Sequence, residues 1–257
     1  MIRKEKDKFI PSNILEGMTS ISALLNSTCE NDRKIERIWI DNAKRKSKAG
    51  EIGFLTAKSK EFGFSIEFVN AEQIDALTVG NTHGGILAFC TDRTLPILRA
   101  DKLIANGFYV YLDGIEDPYN FGYTVRSLYA AGVNGIVLPP RNWMSAAGVV
   151  ARASAGASEL IPMYTANTED VLPVFQSCSY RVLCAGIRDS VSVFDETFPY
   201  PILLVIGGEK RGISRKILEQ ADQIVRIDYG RDFRGSLSSA SAATVMAFEI
   251  YRQNRKR

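Results

Sequence analysis

Three stretches of this 257-residue chain carry side chains able to hold a phosphate, a hydroxyl or a tightly approaching ligand. The first runs from Asp113 to Arg126 (DGIEDPYNFGYTVR). Its Asn120 amide and Arg126 guanidinium together can hold a ribose hydroxyl and a phosphate. The plain structural alternative makes Asn120 the cap of the helix that Asp117-Pro118 introduces, and Arg126 a surface charge. The second is Gly207-Gly208-Glu209-Lys210-Arg211-Gly212 after the apolar run 202–206. Paired glycines let a backbone approach a ligand closely, and Glu209 near a helix start is favoured by the dipole. It is not a phosphate-binding Walker loop, because no Gly-Lys-Ser/Thr follows, and no G-x-G-x-x-G follows a strand. The third runs from Tyr229 to Ala243 (YGRDFRGSLSSASAA), where two arginines and an aromatic lead into small residues. Ser238 and Ser239 suit a helix cap. Four serines in six positions exceed what a cap needs, and either a ligand or a tight dimer contact accounts for them.

Other chemistries find little support. Cys29, Cys90, Cys178 and Cys184 form no C-x-x-C pair and His83 is the single histidine, so a zinc site is not expected. A serine-hydrolase triad would have to use His83. Scattered cysteines fit a reduced, cytoplasmic protein. The apolar fraction of 46% and charged fraction of 24% are those of a soluble globular chain. No apolar run approaches the roughly 20 residues of a membrane span, and Met1 to Lys8 lead into no signal-like apolar core. The excess of 32 Lys+Arg over 29 Asp+Glu is only +3. Cations nevertheless crowd the start (Arg3, Lys4, Lys6, Lys8, then Arg33 to Lys60) and the end (Arg252 to Arg257). They read either as solvated faces or as a phosphate-tracking surface.

The elements that must position these residues alternate between strand and helix. Helices are predicted at 17–25, 49–62 and 71–77, with strands at 35–40, 65–69 and 85–90, giving a small α/β unit. After a mixed stretch at 91–106, the apolar run 108–112 reads as a buried parallel strand. A helix ending near Gly132 and a strand at 135–138 follow. Further strands are predicted at 181–185, 202–206 and 224–228, and helices at 145–155, 167–178, 214–221 and 239–255. Such alternation predicts a parallel sheet with helices on both faces and ligands at the strand carboxyl ends. Two domains are expected, 1–95 and 105–257.

Taken together, the three stretches resemble the motifs of the SpoU/TrmH-type RNA 2′-O-ribose methyltransferases of the SPOUT superfamily. Asn120, Gly122 and Arg126 match N-x-G-x-x-x-R. Gly207, Glu209 and Gly212 match the second motif, G-x-E-x-x-G after an apolar strand. Ser236, Leu237, Ala242 and Ala243 match part of the third, S-L-N-x-S-x-A-A. Glu16-Gly17 and Thr82-His83-Gly84-Gly85-Ile86 resemble the ends of the family's N-terminal RNA-binding domain, a small α/β fold related to ribosomal proteins. The chain departs from the pattern where Ser238 replaces the family asparagine, Ala240 the following serine, and Asp228 a proline.

The resemblance implies an α/β fold with a trefoil knot in the parallel-sheet domain, S-adenosyl-L-methionine as cofactor, and a homodimer. It implies cofactor contacts at Gly207, Ile227 and Leu237, and active-site positions at Asn120, Arg126 and Glu209. It also implies RNA as partner, ribosomal RNA before transfer RNA. A ribose hydroxyl is a poor nucleophile, so the task is chiefly one of positioning. A guanidinium stays protonated. Arg126 is therefore expected to bind the neighbouring phosphate and stabilise oxyanion charge, with Asn120 and Ser238 orienting the hydroxyl. Loop nucleotides are expected as targets. Tyr119, Phe121 and Phe233 suit either base stacking or core packing. The alternative is an RNA-binding or ribosome-assembly factor of this fold without methyl transfer; an unrelated nucleotide-binding α/β enzyme is a third reading.

Overall fold

A computed structural model describes residues 13–78, 82–140 and 146–255. The predicted cations at 3–8 and 256–257, and the start of the helix expected at 145, lie outside the described residues. The chain forms two compact units. In chain order the first contains β1 (Ile14–Glu16), α1 (Gly17–Leu25), β2 (Ile35–Asp41), α2 (Ala49–Phe62), β3 (Ser65–Val69), α3 (Ala71–Asp75) and β4 (Ile86–Cys90). Its sheet has the order β1-β4-β2-β3, with β2 and β3 parallel and β4 antiparallel to both β1 and β2. Alternation along β2 turns Ile38 and Ile40 towards a core shared with Ile21 and Leu24 of α1 and Leu55 of α2. On the other face Ile14, Leu87 and Ile74 are buried, and Trp39 and Phe89 pack partly against them.

The second unit begins at Leu95. It carries β5 (Phe108–Asp113), α4 (Pro118–Ala130) and β6 (Gly135–Leu138). Next in the chain come α5 (Ala147–Ala153) and α6 (Ala157–Leu160), which belong to the first unit. The second unit resumes with β7 (Met163–Thr165), α7 (Thr168–Ser177), β8 (Arg181–Ala185), β9 (Val191–Ser192) and β10 (Ile202–Gly207). It ends with α8 (Arg215–Leu218), β11 (Gln223–Arg226) and α9 (Ser239–Asn254). The sheet runs β7-β6-β5-β10-β8-β11-β9 and every pairing is parallel. The unbroken apolar run of β5 follows from this: in a parallel sheet both faces are covered, and Phe108 to Leu112 are all buried. The two sheets are the expected α/β architecture, with β1 added to the first and β7 and β9 to the second; at two or three residues each they carry no periodicity to read. The helix predicted at 214–221 shrinks to one turn, and the strand predicted at 224–228 ends at Arg226.

The return of α5 and α6 to the first unit is absent from the expected single domain over 105–257. A buried polar cluster holds it. The Glu159 carboxylate is 2% exposed and accepts from Arg33 Nη1 at 3.2 Å and Asn31 Nδ2 at 2.9 Å. Its backbone carbonyl accepts from Ser27 Oγ at 2.7 Å, and buried Arg93 donates to the neighbouring Ser158 carbonyl. Gly156, at φ +82°, lets α1 come close: a Cβ there would lie 2.6 Å from the Ala23 methyl.

Candidate active site

Strands β5 and β10 are neighbours, so Asp113 and Gly207 face each other at their carboxyl ends. Helix α4 starts just beyond. Pro118 takes its first turn, and the cap is Asp117, whose side chain accepts from the Asn120 backbone N–H at 2.8 Å. Asn120 is thus not the cap, and its side chain is released for other work. Its Nδ2 donates to Glu209 Oε1 at 3.1 Å, joining the first stretch to the second across 89 residues. Lys210 and Glu116 make a parallel link at 2.9 Å. Arg126 is exposed and makes no hydrogen bond or ion pair among the described residues. It lies roughly 120° round the helix from Asn120, on the side that carries Tyr119 and Tyr123, so the unit does not bring Arg126 to the Asn120–Glu209 pair. Phe121, weighed as a stacking residue, is 3% exposed and belongs to the core. Tyr119 and Phe233 stand exposed.

The glycines have a steric cause. A Cβ on Gly208 would fall 2.0 Å from the Gly114 carbonyl oxygen, and one on Gly207 would fall 2.4 Å from the Gly212 carbonyl carbon. Only bare backbone fits where these turns nest. Gly208 N–H donates to the Asp113 carbonyl at 2.8 Å, and Asp113 Oδ2 accepts from Ser214 N–H at 2.9 Å. Ser239 Oγ donates to the Gly207 carbonyl at 2.7 Å, so the start of α9 is tied to the end of β10. Ser238 caps α9 by accepting from Ser241 N–H at 3.2 Å. In the loop between, Tyr229 Oη accepts from Leu237 N–H at 3.2 Å, and the Phe233 ring packs beside Tyr229.

These turns enclose a cavity of about 930 Å³ at the carboxyl ends of β8, β10 and β11. Gly207, Ile227 and Leu237 line it, as do Glu209 and Ser238; Asn120 and Arg126 do not. Its walls combine glycine backbone at Gly207, Gly208 and Gly235 with apolar Ile206, Ile213 and Met246. Such a set suits an adenosyl group, whose base takes backbone hydrogen bonds between apolar walls; of the two carboxylates on the lining, Asp228 pairs with Arg226 at 2.7 Å and Glu209 with Asn120. Hydrogen bonding from Ser192, together with Arg226, holds the Asp228 carboxyl below the usual range. Sequence reasoning passed over Ile187 and Arg188, which line the far wall. The turn after β8 carries no motif that marks it.

Elsewhere, His83 sits in the first unit, its Nδ1 accepting from Gly85 N–H and its Nε2 3.1 Å from Asp75. A cavity of about 320 Å³ beside it is lined by Lys48 and Arg152, each already paired, with Glu51 and Glu16 respectively. Among the described residues no three of His, Cys, Asp and Glu converge as a metal site, and no helix is long and apolar enough to cross a membrane.

The family model described as the SpoU rRNA methylase family matches residues 107–248, more than half of the chain, and takes in every part of this site. The chain belongs to the SpoU rRNA methylase family. A second model, RNA 2′-O ribose methyltransferase substrate binding, matches residues 14–96. Similar proteins include the putative TrmH family tRNA/rRNA methyltransferase YacO of Bacillus subtilis, 28% identical over 88% of this chain and 91% of that one. Another is the 23S rRNA (guanosine-2′-O-)-methyltransferase RlmB of Shewanella oneidensis, 26% identical over 95% of this chain and 98% of its own. An AdoMet-bound rRNA methyltransferase from Sinorhizobium meliloti has the same fold, with a TM-score of 0.75 over 93% of this chain and 86% of that one at 24% identity. Within the SpoU family reading, the pairing of β5 with β10 is what brings the first two motifs together.

Proposed function

We propose that this protein is an S-adenosylmethionine-dependent RNA methyltransferase acting on a ribose 2′-hydroxyl, with ribosomal RNA as its substrate. The observation that carries this reading is the Asn120–Glu209 hydrogen bond at the joined ends of β5 and β10, beside the cavity lined by Gly207, Ile227 and Leu237. When bound, S-adenosylmethionine supplies an electrophilic methyl group on a sulfonium. The chain's residues do the positioning. Gly207, Ile227 and Leu237 hold the cofactor through backbone and apolar contact. Glu209 fixes the Asn120 amide, which presents a hydrogen-bonding group to the ribose hydroxyl. Arg126, exposed and unpaired, binds the adjacent phosphate and stabilises charge on the hydroxyl oxygen. Ser238 stands where the family has asparagine, at the start of α9.

The knot and the homodimer belong to the same reading. β10 is laid between β5 and β8 although it follows both in the chain, as a knotted path requires. Helices α4 and α9 pack together and leave Tyr119, Tyr123, Phe248 and Tyr251 exposed, a surface suited to a second copy that brings a partner to Arg126. The N-terminal unit, matched by the substrate-binding model, takes the RNA, which favours ribosomal over transfer RNA, and the reaction is placed in the cytoplasm. A binding factor without methyl transfer draws on one observation: the Ser238 hydroxyl is already engaged as a cap.

The deciding experiment is transfer of labelled methyl from S-adenosylmethionine to unmodified total RNA, with Arg126→Ala alongside. Label in ribosomal RNA, resistant to base removal and lost with Arg126→Ala, is the expected result. Cofactor binding without label in any RNA fraction would move the protein to the binding-factor reading.

A further inference from the structure

The N-terminal unit carries an unusual construction on the open part of its sheet. Arg37 of β2 faces Phe89 of β4 in register, and its guanidinium carbon lies 4.2 Å from the Phe89 ring centroid and 5.4 Å from that of Trp39. Trp39 meets Phe89 edge-on at 4.8 Å. Its indole N–H donates to Glu67 Oε2 at 2.9 Å, which fixes the ring. Below, both aromatics rest on the buried Ile14–Leu87–Ile74 cluster. Arg37 itself is exposed, and its guanidinium makes no hydrogen bond or ion pair among the described residues. Three other cations of the unit are committed to carboxylates, Arg33 to Glu159, Arg152 to Glu16 and Lys48 to Glu51, and Arg45 lies over a single ring, Phe68, at 3.6 Å.

A guanidinium held 4.2 Å over the Phe89 ring, with Trp39 beside it, has lost freedom without using its donors. It presents a planar, charged face to solvent with its N–H groups unspent. Two other ways of holding it so exposed would look different: a structural arginine would reach a carboxylate, and a merely soluble one would not be ordered by two rings. An unstacked nucleobase matches the plane, and its phosphate matches the free donors. We propose that Arg37, Trp39 and Phe89 form a stacking site for an unpaired nucleotide of the RNA substrate. This rests on the RNA-methyltransferase reading above and adds to it the place where a nucleotide remote from the reacting one is held. A duplex keeps its bases stacked on one another, so the site selects single-stranded RNA.

Trp39 makes the test direct, because the chain has 2 tryptophans and Trp143→Phe leaves it as the sole emitter. The full-length Trp143→Phe protein is titrated with an unstructured ten-nucleotide oligoribonucleotide and with a ten-base-pair RNA duplex. The expected result is saturable quenching of Trp39 by the single strand only. Arg37→Ala should weaken it about tenfold, the size of one base stack. Arg37→Lys should stay weakened, since it keeps the charge and loses the plane. Filter binding with Trp143 intact carries the same comparison if Trp143→Phe perturbs folding. In the methyl-transfer assay Arg37→Ala should raise KM for RNA about tenfold, with kcat, KM for S-adenosylmethionine and Tm unchanged. Unchanged affinity in Arg37→Ala, equal quenching by duplex, or full recovery in Arg37→Lys would each overturn the stacking site. Absence of wild-type methyl transfer to any RNA would instead overturn the underlying function, while the emission titration still reports on stacking.

Discussion

The Asn120–Glu209 hydrogen bond is partly solvent-exposed, so its contribution belongs to the reaction more than to stability. Asn120→Ala and Glu209→Ala are each expected to lower kcat by about 10- to 100-fold while leaving Tm within a degree or two, because surface changes shift stability by only about 0.5 kcal/mol. If the two side chains act as one unit, the double variant should be scarcely worse than either single, with a coupling of roughly 1–3 kcal/mol. Additive losses measured in the labelled-methyl assay would separate their roles. The sequence named both residues but assigned Asn120 a possible cap. Asp117 and Asn120 are both cap-forming types, three positions apart, and propensity alone does not choose. Pro118 does: proline favours the first helical position, which makes the residue before it the cap. The bond to Glu209 was not legible, because it depends on β10 lying beside β5, and strand order is not written in periodicity.

At the scale of elements, the legible parts were those with long, regular patterns: the apolar runs of β5 and β10 and the length of α9. The capture of α6 by the first unit was not. Glu159 in a four-residue helix reads as an ordinary surface charge, and its partners lie 126 and 128 positions away. In the fold it is the carboxylate between two buried arginines. Arg93 Nε and Nη2, and Arg33 Nε, already lack partners among the described residues. Burial also lowers the Arg93 pKa, as expected for a guanidinium held away from water. Removing the only anion that pairs with Arg33 among the described residues should therefore cost far more than a surface pair. Glu159→Ala is expected to destabilise the protein by about 3–5 kcal/mol. Glu159→Gln, which keeps one acceptor oxygen for Arg33 but loses the charge and the acceptor for Asn31, should cost less. Urea unfolding would measure both, and a Glu159→Ala loss under about 1 kcal/mol would mean that the cluster is not the clasp that holds α6.

Across the whole molecule, the titrating groups define opposite limits. Lys48 holds Glu51, Arg99 holds Asp101, hydrogen bonding from Ser192 holds Asp228, and Arg252 holds Glu249, each below its ordinary range. A depressed carboxylate adds stability above its unfolded value, 3.8 for aspartate and 4.5 for glutamate, and that stability is lost as pH falls through the lower folded value. Asp101 and Asp228 are exposed and Glu51 and Glu249 half-buried, each beside a solvent-accessible partner, so this acid limb should be shallow. The alkaline side is governed by burial. The Cys90 and Cys184 thiols are pushed up from 9.0 to about 12. Below pH 9 both folded and unfolded chains keep these protons, and nothing changes. Above it the unfolded chain ionises while the fold retains its protons, so stability falls between about 9 and about 12. Burial raises Tyr109, Tyr180 and Tyr200 in the same way, but from an ordinary value of 10.0. Tm is therefore expected to be flat from about pH 5 to 8 and to begin its alkaline fall near 9. In a Cys90→Ala/Cys184→Ala protein the fall should begin about one pH unit later, where only the tyrosines remain. An unmoved onset would show that the two core thiols do not set the alkaline limit.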